Sequence, residues 1–141
     1  MANENSPASS KRICITSQGG NLDSQIDPRF GRCQYFIMVD PETMEFEAVQ
    51  NPNIATTGGA GIQSAQLISG KGIGIVLTGN VGPNAYTTLH SAGVKIATGV
   101  TGSVKDAIEK YKRGEITIAD SPTVPGHFGI QKNIAKGPDN D

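Results

Sequence analysis

Residues 73–78 constrain the fold more than any other part of the chain. They read Ile-Gly-Ile-Val-Leu-Thr and are apolar on both faces, a pattern typical of a central strand in a parallel sheet that helices cover on both sides. Parallel strands are joined by crossover connections, which are usually helices. The sequence therefore predicts a layered α/β domain, with helices before and after this strand.

Four further strands and three helices are predicted from local patterns. The strands are predicted at residues 12–16, 35–39, 44–48 and 94–97, and the helices at residues 60–69, 83–91 and 103–113. Ser103 and Asp106 form a predicted capping box for the last helix. A meander of the first three strands, followed by right-handed crossovers, gives a mixed five-stranded sheet of order 3-2-1-4-5 with strand 2 antiparallel and helices on both faces.

The chain has 141 residues, which is about the length of one domain. We predict a disordered lead at residues 1–10, an α/β domain at residues 11–120 and a flexible tail at residues 121–141. The formal net charge of −1 gives no general attraction to nucleic acid or to an anionic membrane, because such binding needs clustered Lys and Arg. The sequence has neither an export signal nor an apolar run long enough to span a bilayer, and the predicted location is the cytoplasm.

Glycine-rich loops follow strands 1, 3, 4 and 5 and are predicted to lie at one edge of the sheet. Their central parts are residues 27–33, 57–61, 79–84 and 99–102. Three of the four lead into a helix, whose first N–H groups are unpaired and carry a partial positive charge. Arg29 and Arg32 add cationic donors. Open α/β sheets bind ligands at this edge, so the sequence predicts a shallow basin for a compact anion.

The same features have simpler interpretations, which the sequence leaves open. A glycine before a helix can serve only as a turn or a cap. Arg29 and Arg32 can be solvated loop residues, or can pair with Asp23 or Asp27. The convergence of several such loops at one edge is what favours a binding site.

The cysteines and histidines differ in their value as ligands. Cys14 lies in the middle of a predicted strand and is expected to be a small buried apolar residue. Cys33 is predicted to lie near the edge of the sheet where the loops meet. It can serve there either as a metal ligand or as a structural thiol. His90 suits the C-terminal end of a helix, where a positive charge is favoured. His127, in the sequence Gly-His-Phe-Gly, is either a metal ligand or an exposed loop residue.

No catalytic constellation is recognisable in the sequence. It has no GxxxxGK loop, no GxGxxG fingerprint, no HExxH and no GxSxG. Its two cysteines cannot supply the four thiolates of an ordinary iron–sulfur cluster. The predicted strand order is that of ribonuclease H-type nucleases, which need several carboxylates for two metals, but the first strand offers Cys14 and Thr16 instead. We therefore predict that the protein is not an enzyme.

Three motifs follow one another along the predicted domain. They are Asp-Pro-Arg-Phe-Gly-Arg at residues 27–32 before Tyr35 and Phe36, Gly-Gly-Ala-Gly at residues 58–61, and Gly-Asn-Val-Gly-Pro-Asn-Ala at residues 79–85. In this order they resemble the dinitrogenase iron–molybdenum cofactor biosynthesis family, which has NifX-type and Orange-protein-type relatives. The resemblance covers residues 11–118 and implies a ribonuclease H-like three-layer α/β/α domain that binds metal–sulfur clusters.

The resemblance also implies the kind of ligand. In one branch it is iron–molybdenum cofactor or a precursor, and in the other a molybdenum–copper sulfide cluster held non-covalently. A polyanionic sulfide cluster suits backbone N–H groups and Arg better than it suits a cage of thiolates. The predicted cofactor-binding residues are Arg29, Phe30, Gly31, Arg32, Gly58, Gly59, Gly61, Gly79, Asn80, Gly82 and Asn84. The candidate metal ligands are Cys33 and His127.

The predicted function is the non-catalytic carriage or scaffolding of a metal–sulfur cluster, together with a partner protein of cofactor assembly. The alternative is a protein–protein interaction module of a nitrogenase-like or ATPase-associated assembly, without a cluster of its own. An enzyme with a small anionic substrate, such as a phosphotransferase, is a further alternative, which is weakened by the lack of a recognisable general base.

Overall fold

A six-stranded mixed sheet forms the centre of the protein in the computed structural model, which describes residues 12–55 and 58–123. The strands are β1 (Arg12–Ser17), β2 (Tyr35–Val39), β3 (Phe46–Gln50), β4 (Ile73–Leu77), β5 (Lys95–Thr98) and β6 (Thr117–Ile118). The helices within the same residues are α1 (Ala60–Ser69), α2 (Pro83–Ser91) and α3 (Val104–Lys112). The spatial order of the strands is β3-β2-β1-β4-β5-β6.

The order and directions of the first five strands confirm the predicted topology. β2 is antiparallel to β1 and β3, whereas β4 is parallel to β1 and β5 is parallel to β4. In the middle of the sheet, Ile15 pairs with Ile37 on one side and with Leu77 on the other. The sixth strand, β6, is not predicted from the sequence, and it pairs antiparallel with β5 at the edge of the sheet. It has 2 residues, too few to show the alternation that identifies a strand in a sequence.

Alternate side chains of the strands point to opposite faces of the sheet, and helices cover each face. The core beneath α1 and α2 contains Cys14, Phe36, Val76 and Ile96. The core beneath α3 contains Ile13, Ile37, Leu77 and Ala97. The chain thus has the three-layer α/β/α arrangement that the sequence predicts, and β1 and β4 are buried between the two helical layers.

β3 begins later than the alternation of apolar residues predicts. Met44 has a positive φ of 67°, and its N–H donates a 2.7 Å hydrogen bond to the carbonyl oxygen of Asp40. The chain is therefore still turning at Met44. The ladder with β2 starts only where Phe46 pairs with Val39.

The capping box predicted at the start of α3 is present. The Asp106 N–H donates a 3.1 Å hydrogen bond to the Ser103 hydroxyl oxygen, and the Ser103 N–H donates a 3.2 Å hydrogen bond to the Asp106 carboxylate. Two of the unpaired N–H groups at this helix end are satisfied in this way. The N-terminus of α3 is therefore closed by a side chain that is itself negatively charged.

The predicted domain boundaries, residues 11–120, stay a prediction. The lead predicted at residues 1–10 and residues 124–141 of the predicted tail lie outside the described residues. Residues 121–123 are described, and Thr123 is hydrogen-bonded to the backbone of Val81. Among the helices of residues 12–55 and 58–123, none combines the length and the apolar character that crossing a membrane requires.

Candidate functional site

The loops that follow β1, β3, β4 and β5 meet at one edge of the sheet, and we call this edge the loop rim (residues 27–33, 58–61, 79–84 and 99–102). The Asn80 N–H donates a 2.8 Å hydrogen bond to the Pro28 carbonyl oxygen. The Gly99 N–H donates a 2.9 Å hydrogen bond to the Gly79 carbonyl oxygen. Adjacent loops are thus joined through their backbones, as the strand order predicts.

Two of the predicted site glycines allow this close packing of backbone on backbone. A β-carbon on Gly79 would lie 2.7 Å from the Cα of Pro28, and one on Gly31 would lie 2.9 Å from the Cα of Gly61. No side chain fits at such distances unless the backbone moves, so glycine is required there for loop packing. The space that a side chain would need at these two positions is filled by neighbouring backbone.

Asn51, which the sequence analysis did not single out, links the loop after β1 to the loop after β3. Its side-chain amide donates hydrogen bonds of 2.9 Å to the Cys33 carbonyl oxygen and 3.2 Å to the Gly31 carbonyl oxygen. Its backbone N–H donates to the Gln34 carbonyl oxygen at 2.9 Å. Asn51 is buried, and its bond to Cys33 is buried while that to Gly31 is partly buried, so these bonds hold the two loops together. The only signal in the sequence is a polar residue directly after a strand.

α1 and α2 begin side by side on the loop rim. A β-carbon on Gly61 would lie 3.3 Å from the Cβ of Ala85, so the first turns of the two helices are in contact. Their N-cap residues are Gly59 and Gly82, and neither helix has an acidic residue in its first turn or a side-chain cap among the described residues. The contrast with α3 is clear, because α3 is capped by Ser103 and carries Asp106.

This pair of helix ends forms an electropositive surface. Each N-terminus carries a partial charge of roughly +0.5 and presents unpaired N–H groups. A β-carbon on Gly58 or Gly82 would meet no atom within 4 Å, so the space beside both helix ends is open. Such ends bind phosphate, sulfate and other anions in many proteins.

The two arginines of the rim have partners within the chain. Arg29 donates through Nε to Oδ1 of Asp27 at 3.2 Å and through Nη2 to Oδ2 at 3.4 Å. Hydrogen bonding to Asp27, and then the charge of that carboxylate, raise the pKa of Arg29. Arg32 donates through Nη1 to the Ile54 carbonyl oxygen at 2.9 Å. Because the Arg29 side chain is 61% exposed while Asp27 is buried, Arg29 still presents N–H groups to the solvent.

The predicted site residues differ in their exposure. Those exposed on the rim are Arg29, Gly58, Gly59, Asn80 and Asn84. Those half-buried are Gly31, Arg32, Gly61, Gly79 and Gly82. Phe30 and Cys33 are buried, so their side chains do not face the rim. The Phe30 ring packs on Phe36 with 5.8 Å between ring centroids, and Phe30 takes part in the rim through its N–H, which donates to Asn80.

The geometry gives Cys33 no support as a metal ligand. Its side chain is fully buried, and this burial raises the pKa of the thiol, so that it stays protonated at neutral pH. A thiolate, not a thiol, is the form that binds metal. Among the described residues no group of three or more His, Cys, Asp and Glu could hold a metal ion. The other candidate ligand, His127, lies outside the described residues.

Two cavities in the described part of the chain lie away from the loop rim. One, of about 440 Å³, lies between α2 and β6 and is lined by Tyr86, His90 and Ile118. The other, of about 710 Å³, lies between the first residues of β1, β4 and β5 and the end of α3, and is lined by Lys95 and Tyr111. The second cavity is therefore at the edge of the sheet opposite to the rim.

Comparison with known proteins decides the family. The dinitrogenase iron-molybdenum cofactor family matches residues 11–114. The chain belongs to this family. The match includes all three glycine-rich motifs of the rim, and the membership indicates a role in iron–molybdenum cofactor biosynthesis or cluster binding.

Solved structures of other proteins agree with membership of the dinitrogenase iron-molybdenum cofactor family. The apo form of the orange protein from Desulfovibrio gigas is 39% identical, with a TM-score of 0.78 over 81% of this chain and 97% of that one. A candidate NifB protein from Thermotoga is 37% identical, with a TM-score of 0.68 over 77% of this chain and 92% of that one. An uncharacterized protein of Methanocaldococcus jannaschii is 29% identical over 67% of this chain and 82% of its own length.

Proposed function

We propose that this protein binds a metal–sulfur cluster non-covalently at the loop rim and carries or stores it, without catalysing a reaction. The cluster is iron–molybdenum cofactor, a precursor of it, or a molybdenum–copper sulfide cluster. The observation that carries the proposal is the contact between the N-termini of α1 and α2, where Gly61 lies against Ala85. Neither helix has an acidic residue in its first turn.

The donors of the rim fit a polyanionic cluster. Backbone N–H groups at two helix ends and the exposed guanidinium of Arg29 can donate hydrogen bonds to sulfide sulfur or to an oxygen on molybdenum. The donor set does not fit a cluster that is held by protein thiolates, because Cys14 and Cys33 are both buried. The guest is therefore expected to arrive assembled and to keep its own sulfide ligands.

A carrier without catalytic activity agrees with the side chains of the rim. Asp27 is the carboxylate nearest to the predicted site residues in sequence, and it is buried and paired with Arg29. A general base must reach the proton that it removes, and a buried carboxylate under a guanidinium does not do so. We propose that the protein acts in the cytoplasm. We also propose that a protein of cofactor assembly delivers the cluster to it or receives the cluster from it.

Anaerobic titration tests the proposal. Tetrathiomolybdate with Cu(I) and, separately, iron–sulfur precursors are added to the full chain, while charge-transfer absorption and bound metal are measured. One cluster type is expected to give a new absorption with stoichiometric metal. The double variant Arg29→Ala and Arg32→Ala is expected to bind more weakly, because two cationic side chains are lost from the rim.

The matched control is Arg113→Ala together with Lys112→Ala, at the end of α3 and outside the rim. This control removes the same number of positive charges and is expected to bind like the wild type. Spectra that stay unchanged with every cluster type would refute the proposal. If the metal-free protein captured a protein of cofactor assembly and bound no cluster, the interaction module would be the better description.

A further inference from the structure

The larger of the two cavities away from the loop rim combines apolar walls with positive charge. We call it the basal cavity, and its lining includes Arg12, Ile13, Ile75, Lys95, Tyr111 and Lys112. The structure describes every residue of this lining, and none of them is acidic. The volume of about 710 Å³ falls within the roughly 300–1,000 Å³ that small-molecule sites occupy. The lining is therefore suited to a small ligand with a negative charge.

Lys95 interrupts an apolar row on the inner face of the sheet. Ile13 pairs with Ile75, and Ile75 pairs with Lys95 on the neighbouring strand. Ile13, Ile75 and Ala97 are buried in the core beneath α3, and Lys95 shares their face because it lies two residues before Ala97. Its side chain is exposed, since α3 ends at Lys112 beside the cavity. A charged residue at a core-facing position departs from the pattern of the strand, and such departures are expected at functional sites.

Gly74 forms a bulge in the lining of the basal cavity. Arg12 pairs with Ile73 and Ile13 pairs with Ile75, so Gly74 is an extra residue in β4. Bulges are rare between parallel strands and are over-represented beside active sites. Gly74 lines the cavity and has no side chain, so nothing from this position fills the space between the apolar walls and the basic residues.

Arg12 is partly engaged within the chain. It donates through Nη1 to Oε1 of Glu47 at 3.2 Å and through Nη2 to the Lys71 carbonyl oxygen at 3.0 Å. Its positive charge is therefore balanced by one carboxylate, and Arg12 serves the basal cavity mainly as part of its wall.

The two lysines of the basal cavity are available to a ligand. Among the described residues, neither Lys95 nor Lys112 has a carboxylate oxygen within 4.0 Å of its ammonium group. Glu115 lies between two lining residues in the chain, but its carboxylate is paired with Arg113 at 3.2 Å. The lysines thus bring two uncompensated positive charges to the cavity.

The end of α3 does not cancel these charges. The last carbonyl groups of a helix carry a partial negative charge, but here they are bonded within the chain. The Gly114 N–H donates a 3.0 Å hydrogen bond to the Tyr111 carbonyl oxygen, and the Glu115 N–H donates a 2.8 Å hydrogen bond to the Lys110 carbonyl oxygen. The lysine side chains therefore dominate the charge of the basal cavity.

We propose that the basal cavity binds a small organic anion with a flat apolar part. The apolar part lies against Ile75 and Tyr111, and the acidic group lies beside Lys95 and Lys112. The site is at the edge of the sheet opposite to the loop rim, so it is separate from the proposed cluster site and does not depend on it. A metal–sulfur cluster has no apolar part and is expected to bind at the rim only.

The first experiment uses anilinonaphthalene sulfonate, a dye that joins a flat apolar part to an acidic group and fluoresces in apolar surroundings. The full chain is expected to bind one equivalent of the dye. The largest shifts of backbone amide signals are expected at Ile75, Lys95 and Tyr111, with smaller shifts at Gly61 and Ala85 of the rim. No binding of the dye, or shifts concentrated at the rim, would overturn the proposal.

The second experiment tests the charge of the cavity. The double variant Lys95→Ala and Lys112→Ala is expected to bind the dye about tenfold more weakly, because charge-assisted hydrogen bonds to its acidic group are lost. The matched control is Lys105→Ala with Lys110→Ala, which removes two positive charges from α3 outside the lining and is expected to bind like the wild type. Urea unfolding checks that both variants fold. Equal affinities of the two double variants would overturn the proposal.

The third experiment identifies the acidic group by displacement of the dye. Adenosine monophosphate and benzoate represent a phosphate and a carboxylate on a flat ring, and displacement by either supports the proposal and names the acidic group. Adenosine and inorganic phosphate each have only one of the two parts and are expected to displace far less. Displacement by either of them as effective as that by adenosine monophosphate would overturn the proposal, and so would a dye that none of the four displaces.

The same assay separates the basal cavity from the loop rim. Tetrathiomolybdate with Cu(I) is expected to leave the dye bound. Displacement of the dye by these reagents would overturn the claim of two separate sites, whereas failure of the dye to bind overturns only the basal site and leaves the proposed function standing.

Discussion

Gly61 lies against Ala85, so that a β-carbon on Gly61 would be 3.3 Å from the Cβ of Ala85. The contact brings the N-termini of α1 and α2 to one point of the loop rim, where their partial positive charges add. Neither helix has an acidic residue in its first turn. The predictions below test the packing that creates this surface, its charge, and the groups that do not contribute to it.

Gly79→Ala is expected to destabilise the protein by about 1–3 kcal/mol, because a β-carbon would lie 2.7 Å from the Cα of Pro28 and the two loops would have to separate. The matched control is Gly70→Ala. Gly70 ends α1 with a φ of −89° and has open space around it, so alanine is expected to stabilise by about 0.4–1 kcal/mol. Urea unfolding of both variants measures the difference. Equal effects would mean that close loop packing does not require glycine at residue 79.

Gly82→Asp is expected to weaken cluster binding at least about tenfold relative to Gly82→Asn, which corresponds to ~1.4 kcal/mol. The two side chains have nearly the same shape, and both are good N-cap residues for α2. They differ by one negative charge at the rim. Gly82 has an extended backbone and free space for a side chain, so both variants are expected to fold.

Titration of the two variants with tetrathiomolybdate and Cu(I), together with their urea unfolding curves, separates charge from stability. Both variants are expected to unfold at the same denaturant concentration as the wild type or at a higher one. Identical affinities of the Asp and Asn variants would show that the cluster does not bind near the start of α2.

Cys33 is expected to be unreactive in the native protein. Burial raises the pKa of its thiol, and the thiolate is the reactive form. Iodoacetamide at neutral pH is expected to modify neither cysteine until the protein is unfolded in guanidinium. Cys33→Ala is also expected to bind the cluster with wild-type affinity. Rapid alkylation of Cys33 in the folded protein, or loss of cluster binding by Cys33→Ala, would support Cys33 as a metal ligand.

Ser103→Ala is expected to lower the free energy of unfolding by about 1 kcal/mol, since the first turn of α3 loses its capping side chain.

The hydrogen bond donated by the Ser103 N–H lowers the pKa of Asp106. A carboxyl group whose pKa is lower in the folded state stabilises the protein above its unfolded pKa, and this contribution is lost as the pH falls through the folded pKa. Asp106→Asn is therefore expected to lose less stability than the wild type on acidification below pH ~4. Parallel acid curves for the two proteins would contradict this assignment.

The strand order and the helix bounds follow from local patterns in the sequence. The bounds predicted for α1 are those observed, because glycines and a run of apolar positions on one face mark both ends. The predicted start of β3 is too early, because alternation continues through Met44 while the backbone there is still in a turn. β6 is missing from the prediction because its 2 residues carry no periodic signal.

The roles of individual site residues were harder to predict. Gly79 and Gly82 look alike in the sequence, yet one is packed against Pro28 and the other is open. Only the tertiary arrangement of the loops distinguishes them. The pairing of Arg29 with Asp27 is a contact between near neighbours, and the sequence allows it as one of two partners for the arginines. The partner of Arg32 is a backbone carbonyl group, which no sequence pattern indicates.

The amino-acid sequence carries no pattern that indicates contacts between distant parts of the chain. Asn51 links two loops through the carbonyl oxygens of Gly31 and Cys33. Thr123 binds Val81, 42 positions earlier in the chain. Both are ordinary polar residues in loops, and their importance comes only from what the fold places beside them.

Mapping of backbone amide shifts during anaerobic titration with tetrathiomolybdate and Cu(I) tests the central claim most directly. The account predicts that the largest changes occur at the first turns of α1 and α2, at the backbone amides of Gly61, Ile62, Asn84 and Ala85. Changes concentrated instead around Lys95 and Tyr111, in the 710 Å³ cavity at the opposite edge of the sheet, would contradict it.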